Sequence, residues 1–581
     1  MIEKLYEEEL EYLYKSGKEF ARLHPQTARL LSIDAVGDRD PYVERLFEGF
    51  AFLSARIREK IEDSFPEIAQ GLINITHPEF VQEIPSLTIV EFKPRKGHLQ
   101  EAKKLLKGAE LLSKPVGPDG VLCRFHTTQD LIINPLFLRN IERMCDSQNK
   151  GEITLKFKLD DGVKWQNLNL TLFRIYIHGE YPLSSALYEL LTRHVEKVTV
   201  TLDNGRYSLE IQNSDPVSSA GFMPGTSLFN IMPQSPPGYS FLLEYFAFPE
   251  KFLFVNIAGL EKIPALNPSP TEFSITLKFD CDFPNYNFGK DNFLLHCSPA
   301  VNLFRHDAEP VINTWKKNEY PVLADFRHPD TIYPHSVVSV IGIDLKTATR
   351  YEYKPQSEIQ PLSKPMDRKY SPVYRTGTGT KRELYISINC NYGMGLELNE
   401  ESLSIDILCT NGNIPREELD EGEICKPGRG FPDSISFHNI IRPALSILPP
   451  SDQDYLWSFI AHVGALHSSF STAVSLKSIL RLYNWNNSEI NSMRIEAIKS
   501  VTLKPVDMVY LESIVRGIEY TIEIDENIFP DTGDICLFGE IIKEFLSSHI
   551  SINSFLKLIM VLKPSEKKIL WNSIRGTKWP I

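Results

Sequence analysis

Residues 40–63 read D-P-Y-V-E-R-L-F-E-G-F-A-F-L-S-A-R-I-R-E-K-I-E-D, and residues 153–159 read I-T-L-K-F-K-L. In the first stretch Val43, Leu46, Phe50, Leu53, Ile57 and Ile61 recur every three or four residues, the period of a helix with one apolar stripe. Asp40 suits the N-cap, and Pro41 the first helical position, where a missing N–H removes no helical bond. In the second stretch Ile153, Leu155, Phe157 and Leu159 alternate with Thr154, Lys156 and Lys158, the period of a half-buried strand. The period changes near Ser86. A helical head followed by strands defines an α+β chain.

Upstream, Ile2, Tyr6, Leu10, Leu13, Gly17 and Phe20 form the stripe of an earlier helix, ended by His24-Pro25. Downstream, Phe65-Pro66 and His77-Pro78 bracket a third, shorter helix. Beyond Ser86, Leu168–His178 alternates, and Lys197–Leu202 and Arg206–Ile211 flank the hairpin signal Asp203-Asn204-Gly205. Pro224–Gly238 reads as a long loop. The apolar run Leu242–Phe254 reads as a buried strand pair turned at Pro249. Phe273–Asp280, Leu384–Cys390, Leu403–Thr410 and Tyr520–Ile524 are further strands, and Lys354–Lys381 and Asn411–Asp433 read as exposed loops. Helices are predicted within Ser451–Trp485, near Phe538–Ser547 and near Asn553–Leu562. The expected organisation is a helical assembly region at 1–85, β-rich domains at 86–270 and 271–433, and a mixed α/β domain at 434–581.

The chain has 581 residues, with 42% hydrophobic and 24% charged residues, so it has material for large cores. Its net charge of -13 gives no overall pull toward nucleic acid or anionic lipid. The acidic start, Met1–Leu10, is unlike a signal peptide, and no run of about 18 apolar residues occurs. These features point to the cytoplasm. Eight cysteines without a C-x-x-C pair then read as reduced and structural.

Catalytic motifs are missing. There is no G-x-x-x-x-G-K-[ST], no H-E-x-x-H and no G-x-S-x-G. Thr376–Lys381 is glycine-rich but does not join a strand to a helix. His178-Gly179-Glu180 lacks the P-C-x-x-C partner of a zinc deaminase. His462 and His467 are five apart, one too many for two ligands on one helical face, and Ser468 and Ser469 beside them read as helix packing. Asp160-Asp161 and Asp280/Asp282 read as solvated turn residues. No metal, cofactor or turnover is expected. A hydrolase with a discontinuous site is the alternative, and converging histidines and carboxylates in a deep pocket would mark it.

Several segments in one order resemble the TssF (ImpG/VasA) family of type VI secretion baseplate proteins. Tyr6–Phe20 with Ala21, His24 and Pro25 is similar to the family's opening, and Asp40–Asp63 to its most recognisable helix, followed by Phe65-Pro66-Glu67 and Ile84-Pro85-Ser86. Gly238-Tyr239, Leu242–Phe254, Pro299–Phe304, Cys409-Thr410-Asn411 and Pro415 continue the series. Arg481-Leu482-Tyr483, Arg516-Gly517, Leu537-Phe538-Gly539 and Asn553-Ser554-Phe555 close it. Gly412 departs from the pattern, standing where the family commonly has Arg.

The resemblance implies a wedge subunit that pairs as two copies with one TssG. Such wedges surround the VgrG spike, bind TssK and TssE, seed the contractile sheath, and reach the inner face of the cytoplasmic membrane through the baseplate rather than by insertion. A wedge protein of a phage tail or other contractile particle is the alternative role. The narrow seam of Ile2, Tyr6, Leu10, Leu13 and Phe20, ringed by charges, suits a helical bundle. With the resemblance, these five residues become the candidate partner interface. The same seam would equally serve docking on the helix at 41–63. The charged residues of that helix, Arg45, Arg56 and Arg58 among them, read as a solvated face.

Overall fold

The structure is a computed structural model. It describes the chain except residues 1, 24–25, 27–40, 146–149, 203–206, 212–215, 224, 229–235, 264–269, 357–367, 377–381, 391–398, 451–452, 464–469, 511–512 and 578–581. The side chains of 2–5, 41, 43, 58–68, 262, 376, 453, 510 and 513 also lie outside the description. Two units compose the chain: Met1–Ile75 with Pro450–Ile460, and Thr76–Pro449 with Ala461–Ile581.

The first unit is helical. Helix α1 spans Ile2–Leu23 and helix α2 spans Pro41–Thr76. The expected break at Phe65-Pro66 does not occur, and α2 runs on for 36 residues to His77-Pro78. A proline inside a helix removes one backbone bond, at about 3 kcal/mol. The many turns on either side of Pro66 keep theirs, so the local preference is overruled. Within this unit the Tyr14 ring meets Phe47 edge-on, with centroids 6.1 Å apart.

The second unit carries the sheets. A six-stranded sheet runs in the order Ile424–Pro427, Glu110–Val116, Val121–Thr127, Cys297–Val301, Leu87–Pro94, Ile435–Asn439. Phe92, Leu111, Phe125, Ile424 and Phe437 lie in the core on it. In a five-stranded sheet Gly151–Leu159 pairs with Glu272–Phe279 and with Leu136–Cys145. Ile153, Leu155, Phe157 and Leu159 are all buried, as the alternation predicts. Val195–Leu202 pairs with Tyr207–Glu210 as expected, while the turn between them lies outside the described residues. A four-stranded sheet holds Val217–Ser219, Phe254–Ile257, Phe173–Ile177 and Phe293–Leu295. In the eight-stranded sheet, Glu401–Thr410 pairs with Tyr333–Asp344.

Three readings of the sequence are corrected here. Pro237–Ala247 is a helix followed by a 3-10 turn, so only Phe254 of the apolar run Leu242–Phe254 enters a strand. Burial is as expected, but a run apolar all round fits a buried helix as well as a strand. Pro237 at the helix start and Pro249 just past its end are compatible with that helix. The second correction is Phe555–Lys563, a strand rather than a helix, paired in parallel with Ser513–Asp525. The helix Thr532–Ser547 makes the crossover that parallel strands require. Third, the supposed loops contain order: Arg368–Thr376 and Ile424–Pro427 are strands, and Ile414–Glu418 is a helix.

Helix Thr532–Ser547 is the centre of this unit. Asp531 caps it, accepting the Asp534 N–H at 2.8 Å. Inside the first turn, Asp534 is fully buried. Its Oδ2 accepts Arg494 Nε at 3.0 Å and Nη2 at 2.9 Å. Its Oδ1 accepts the hydroxyls of Tyr181 at 2.8 Å and Tyr245 at 3.3 Å. Neighbouring backbones come close enough to need glycine. A Cβ on Gly533 would sit 2.2 Å from the Ser185 carbonyl oxygen, and one on Gly238 2.3 Å from that of Glu544.

Asp534→Asn leaves the Arg494 guanidinium buried without its charge partner and lowers the unfolding free energy by about 3–5 kcal/mol, measured by urea denaturation. His335 Nε2–H donates to the Glu83 carbonyl at 2.8 Å, and burial pushes the imidazole pKa from 6.5 down to about 4. The folded imidazole therefore stays neutral while the unfolded one gains its proton. Stability is lost as pH falls from 6.5 toward 4, by at most about 3 kcal/mol from this residue. His335→Gln should flatten that part of the pH–stability curve.

Candidate functional site

Between Leu46 and Ile57, helix α2 turns its alanines inward and four of its large apolar residues outward. Ala51 and Ala55 are fully buried. Leu46, Phe50, Leu53 and Ile57 are 60–69% exposed. Their 4-3-4 spacing, at about 100° per residue, places these four on one stripe about 60° wide. Such a spacing is a heptad seam, the pattern of a helix that packs along another helix. Large apolar groups that share one stripe differ from the scattered exposed leucines of ordinary surfaces. Covering each would contribute about 1.5–3 kcal/mol.

The five seam residues predicted on α1 are placed as follows. Tyr6, Leu10 and Leu13 are half-buried and Phe20 is 39% exposed; the Ile2 side chain lies outside the described residues. Tyr14, one position beyond the seam at Leu13, makes the contact with Phe47. The sequence marks the α2 stripe as apolar without saying what covers it. Its signal was present in the heptad spacing, but spacing does not say which side is covered. Glu44, Arg45, Glu48 and Arg56 of α2 are exposed, and the Arg58 side chain lies outside the described residues.

The groups weighed for chemistry are dispersed. Asp160 is not a solvated turn residue: it is buried, with Oδ2 accepting the Gly97 N–H at 2.6 Å. His462 Nε2 lies 2.9 Å from the Tyr483 hydroxyl, while His467, Ser468 and Ser469 lie outside the described residues, as does most of Thr376–Lys381. His194, Asp280 and Cys281 bring three potential metal donors together. One ring nitrogen of His194 meets Asp280 at 2.8 Å and the other faces Glu189 at 3.8 Å. Those carboxylates raise the imidazole pKa. Burial and Asp280 push the Cys281 thiol up to about 11. An imidazole engaged at both nitrogens by carboxylates, beside a thiol kept neutral, is a hydrogen-bonded link rather than an open donor set. A cleft of 890 Å³ is lined by Glu83, Glu250, Glu417, Arg382, Arg416 and Trp485, among others, and by no histidine among the described residues. Burial pushes the Glu83 carboxyl up to about 7, against the opposing pull of Ser446 and Arg382.

The class defined by this fold and this helix is a multidomain α+β subunit with an uncovered apolar seam. The family described as "Type VI secretion system, TssF" matches residues 1–578, and the chain belongs to that family. It is similar to the type VI secretion system component TssF1 of Pseudomonas aeruginosa, at 26% identity over 617 aligned positions covering 99% of this chain and 98% of that one. Among solved structures it is similar to a chain of the type VI TssK-TssF-TssG baseplate subcomplex seen by cryo-electron microscopy. The TM-score is 0.76 at 27% identity, covering 92% of this chain and all of the other. A second likeness, with TM-score 0.64, 27% identity and full coverage of both chains, is to a chain of the type VI baseplate complex. The expected α+β multidomain class and the baseplate family are thus both found.

The exposed seam yields a test on the isolated chain. Leu46→Ser, Phe50→Ser and Leu53→Ser, made singly, should each change the unfolding free energy by less than about 0.5 kcal/mol, because these side chains already face water. Ala55→Ser on the buried side should cost more in the same urea melts.

Proposed function

We propose that this chain is a structural, non-enzymatic subunit of a type VI secretion baseplate wedge. In this reading two copies join one TssG, and the wedge contacts TssK and TssE, surrounds the VgrG spike and seeds the contractile sheath. It works in the cytoplasm, without cofactor, and reaches the inner face of the cytoplasmic membrane through the baseplate. Family membership supports the reading, as do the likenesses to chains of baseplate assemblies. The observation that carries it is the uncovered heptad seam of Leu46, Phe50, Leu53 and Ile57. Such a seam in water favours association with a second helix. The α1 residues Ile2, Tyr6, Leu10, Leu13 and Phe20 are proposed as the adjoining part of the same interface.

Co-expression of the tagged chain with its neighbouring subunits tests this. The expected product is a stable complex holding two copies of the chain per TssG. Leu53→Asp and Leu13→Asp should each leave the melting point of the isolated chain in place and abolish TssG binding, since a charge in the covered seam costs several kcal/mol. A Leu13→Asp chain that melts much earlier by itself would assign α1 to intramolecular docking instead. A wild-type complex with one copy or none would overturn the wedge reading.

A further inference from the structure

A cavity of 310 Å³ opens beside the strand Phe173–Ile177. Lys104, Asp130, Asn134, Asn169, Arg174 and His296 form its polar lining, and aliphatic and aromatic side chains form the rest. Arg174 is half-buried, and its partial burial lowers its pKa. Among the described residues its Nε has no hydrogen-bond partner, and its Nη2 reaches only the Met223 sulfur, at 3.9 Å. Among the described residues no carboxylate pairs with it.

The other charges around the cavity are already balanced. Lys104 is bound to Asp130 at 2.6 Å, and the second oxygen of that carboxylate accepts the Lys107 N–H at 2.9 Å. His296 is buried, its Nε2 accepts the Asn134 N–H at 3.1 Å, and burial pushes its pKa down to about 4, so the ring is neutral at pH 7. Asn256, opposite Arg174 on the neighbouring strand, has a buried Oδ1 without a partner. A neutral amide could take a hydrogen bond there but brings no charge. Among the described residues the Arg174 charge is left over. His296 also holds a left-handed backbone, φ 53, which a β-carbon disfavours. Strain of this kind collects where side chains are held for binding.

A guanidinium partly withdrawn from water gains most when charge and hydrogen bonds are both returned to it, and its planar fork matches a carboxylate. A dianionic phosphate would bring a second charge that nothing here balances. We propose that this cavity is a carboxylate-binding site in which Arg174 pairs with one carboxylate group. A small organic acid or an acidic side chain of a neighbouring subunit can supply that group. Lys104 and Asp130 stand exposed at its rim, which leaves the mouth open to either.

The first measurement is the melting point of the isolated full chain in sodium glutarate, against sodium chloride and sodium phosphate at equal ionic strength. A saturable rise with glutarate alone, lost in Arg174→Met and Arg174→Lys, establishes a free acid as the ligand. The second is the affinity of the complex reconstituted with the baseplate partners. No glutarate shift, together with at least tenfold weaker assembly in Arg174→Met and partial recovery in Arg174→Lys, establishes an acidic side chain as the ligand. This arm rests on the proposed assembly role, and a wild-type chain that forms no complex counts against that role alone. In both cases Arg174→Met, which removes an uncompensated charge, should melt no lower than wild type without ligand. A marked fall in its melting point, or the absence of both effects, overturns the site.

Discussion

Asp534 binds one guanidinium and two phenol hydroxyls from a fully buried position, and the packing of the larger unit depends on that arrangement. The four groups come from four helices: Tyr181–Arg193, Pro237–Ala247, Glu489–Glu496 and Thr532–Ser547. A buried carboxylate is tolerated only when its charge is matched and its lone pairs are occupied, so each helix must arrive at the right rotation. Gly533 and Gly238 permit the approach, since a side chain at either place would overlap a carbonyl. The parallel strands Ser513–Asp525 and Phe555–Lys563 are held on either side of the same helix in sequence, which ties the hub to a sheet. Glu244 and Lys251 repeat the device nearby, as a buried ion pair whose carboxylate also accepts the Leu228 N–H.

The helical unit follows a different principle. Between Leu46 and Ile57, α2 buries Ala51 and Ala55 and leaves Leu46, Phe50, Leu53 and Ile57 largely in water. In a chain that completes its own core the larger side chains go inside, because burial free energy grows with apolar area. The inversion makes sense when the larger side is reserved for another helix. In the proposed wedge the larger unit closes on itself through buried charge and glycine contacts, and the exposed stripe of the helical unit is the surface offered for association. The unmatched Arg174 belongs to the larger unit, so that unit too has a place where its own groups do not finish the balance.

The amino-acid sequence by itself determined the local periods and the family. Helix α1, the first half of α2, the strand Gly151–Leu159 and the hairpin strands around 203–206 were legible because period and turn residues act over a few positions. The ordered series of short segments from Tyr6 to Phe555 carried the resemblance. Tertiary structure alone decided what such signals leave degenerate. Leu242–Phe254 is apolar all round, and period cannot separate helix from strand there; the packing against Thr532–Ser547 decided it. Phe555–Lys563 became a strand because a parallel partner 38 residues earlier was available to it. The stripe of Leu46, Phe50, Leu53 and Ile57 was readable as a stripe, yet whether it faces core or water depends on what else the chain places beside it. The same holds for Asp160, which its sequence neighbours suggested was solvated and which Gly97 draws into a buried bond. Charge is the extreme case, because the worth of Asp534, Arg494 and Arg174 is set by groups far away in sequence, and only their distances in space fix it.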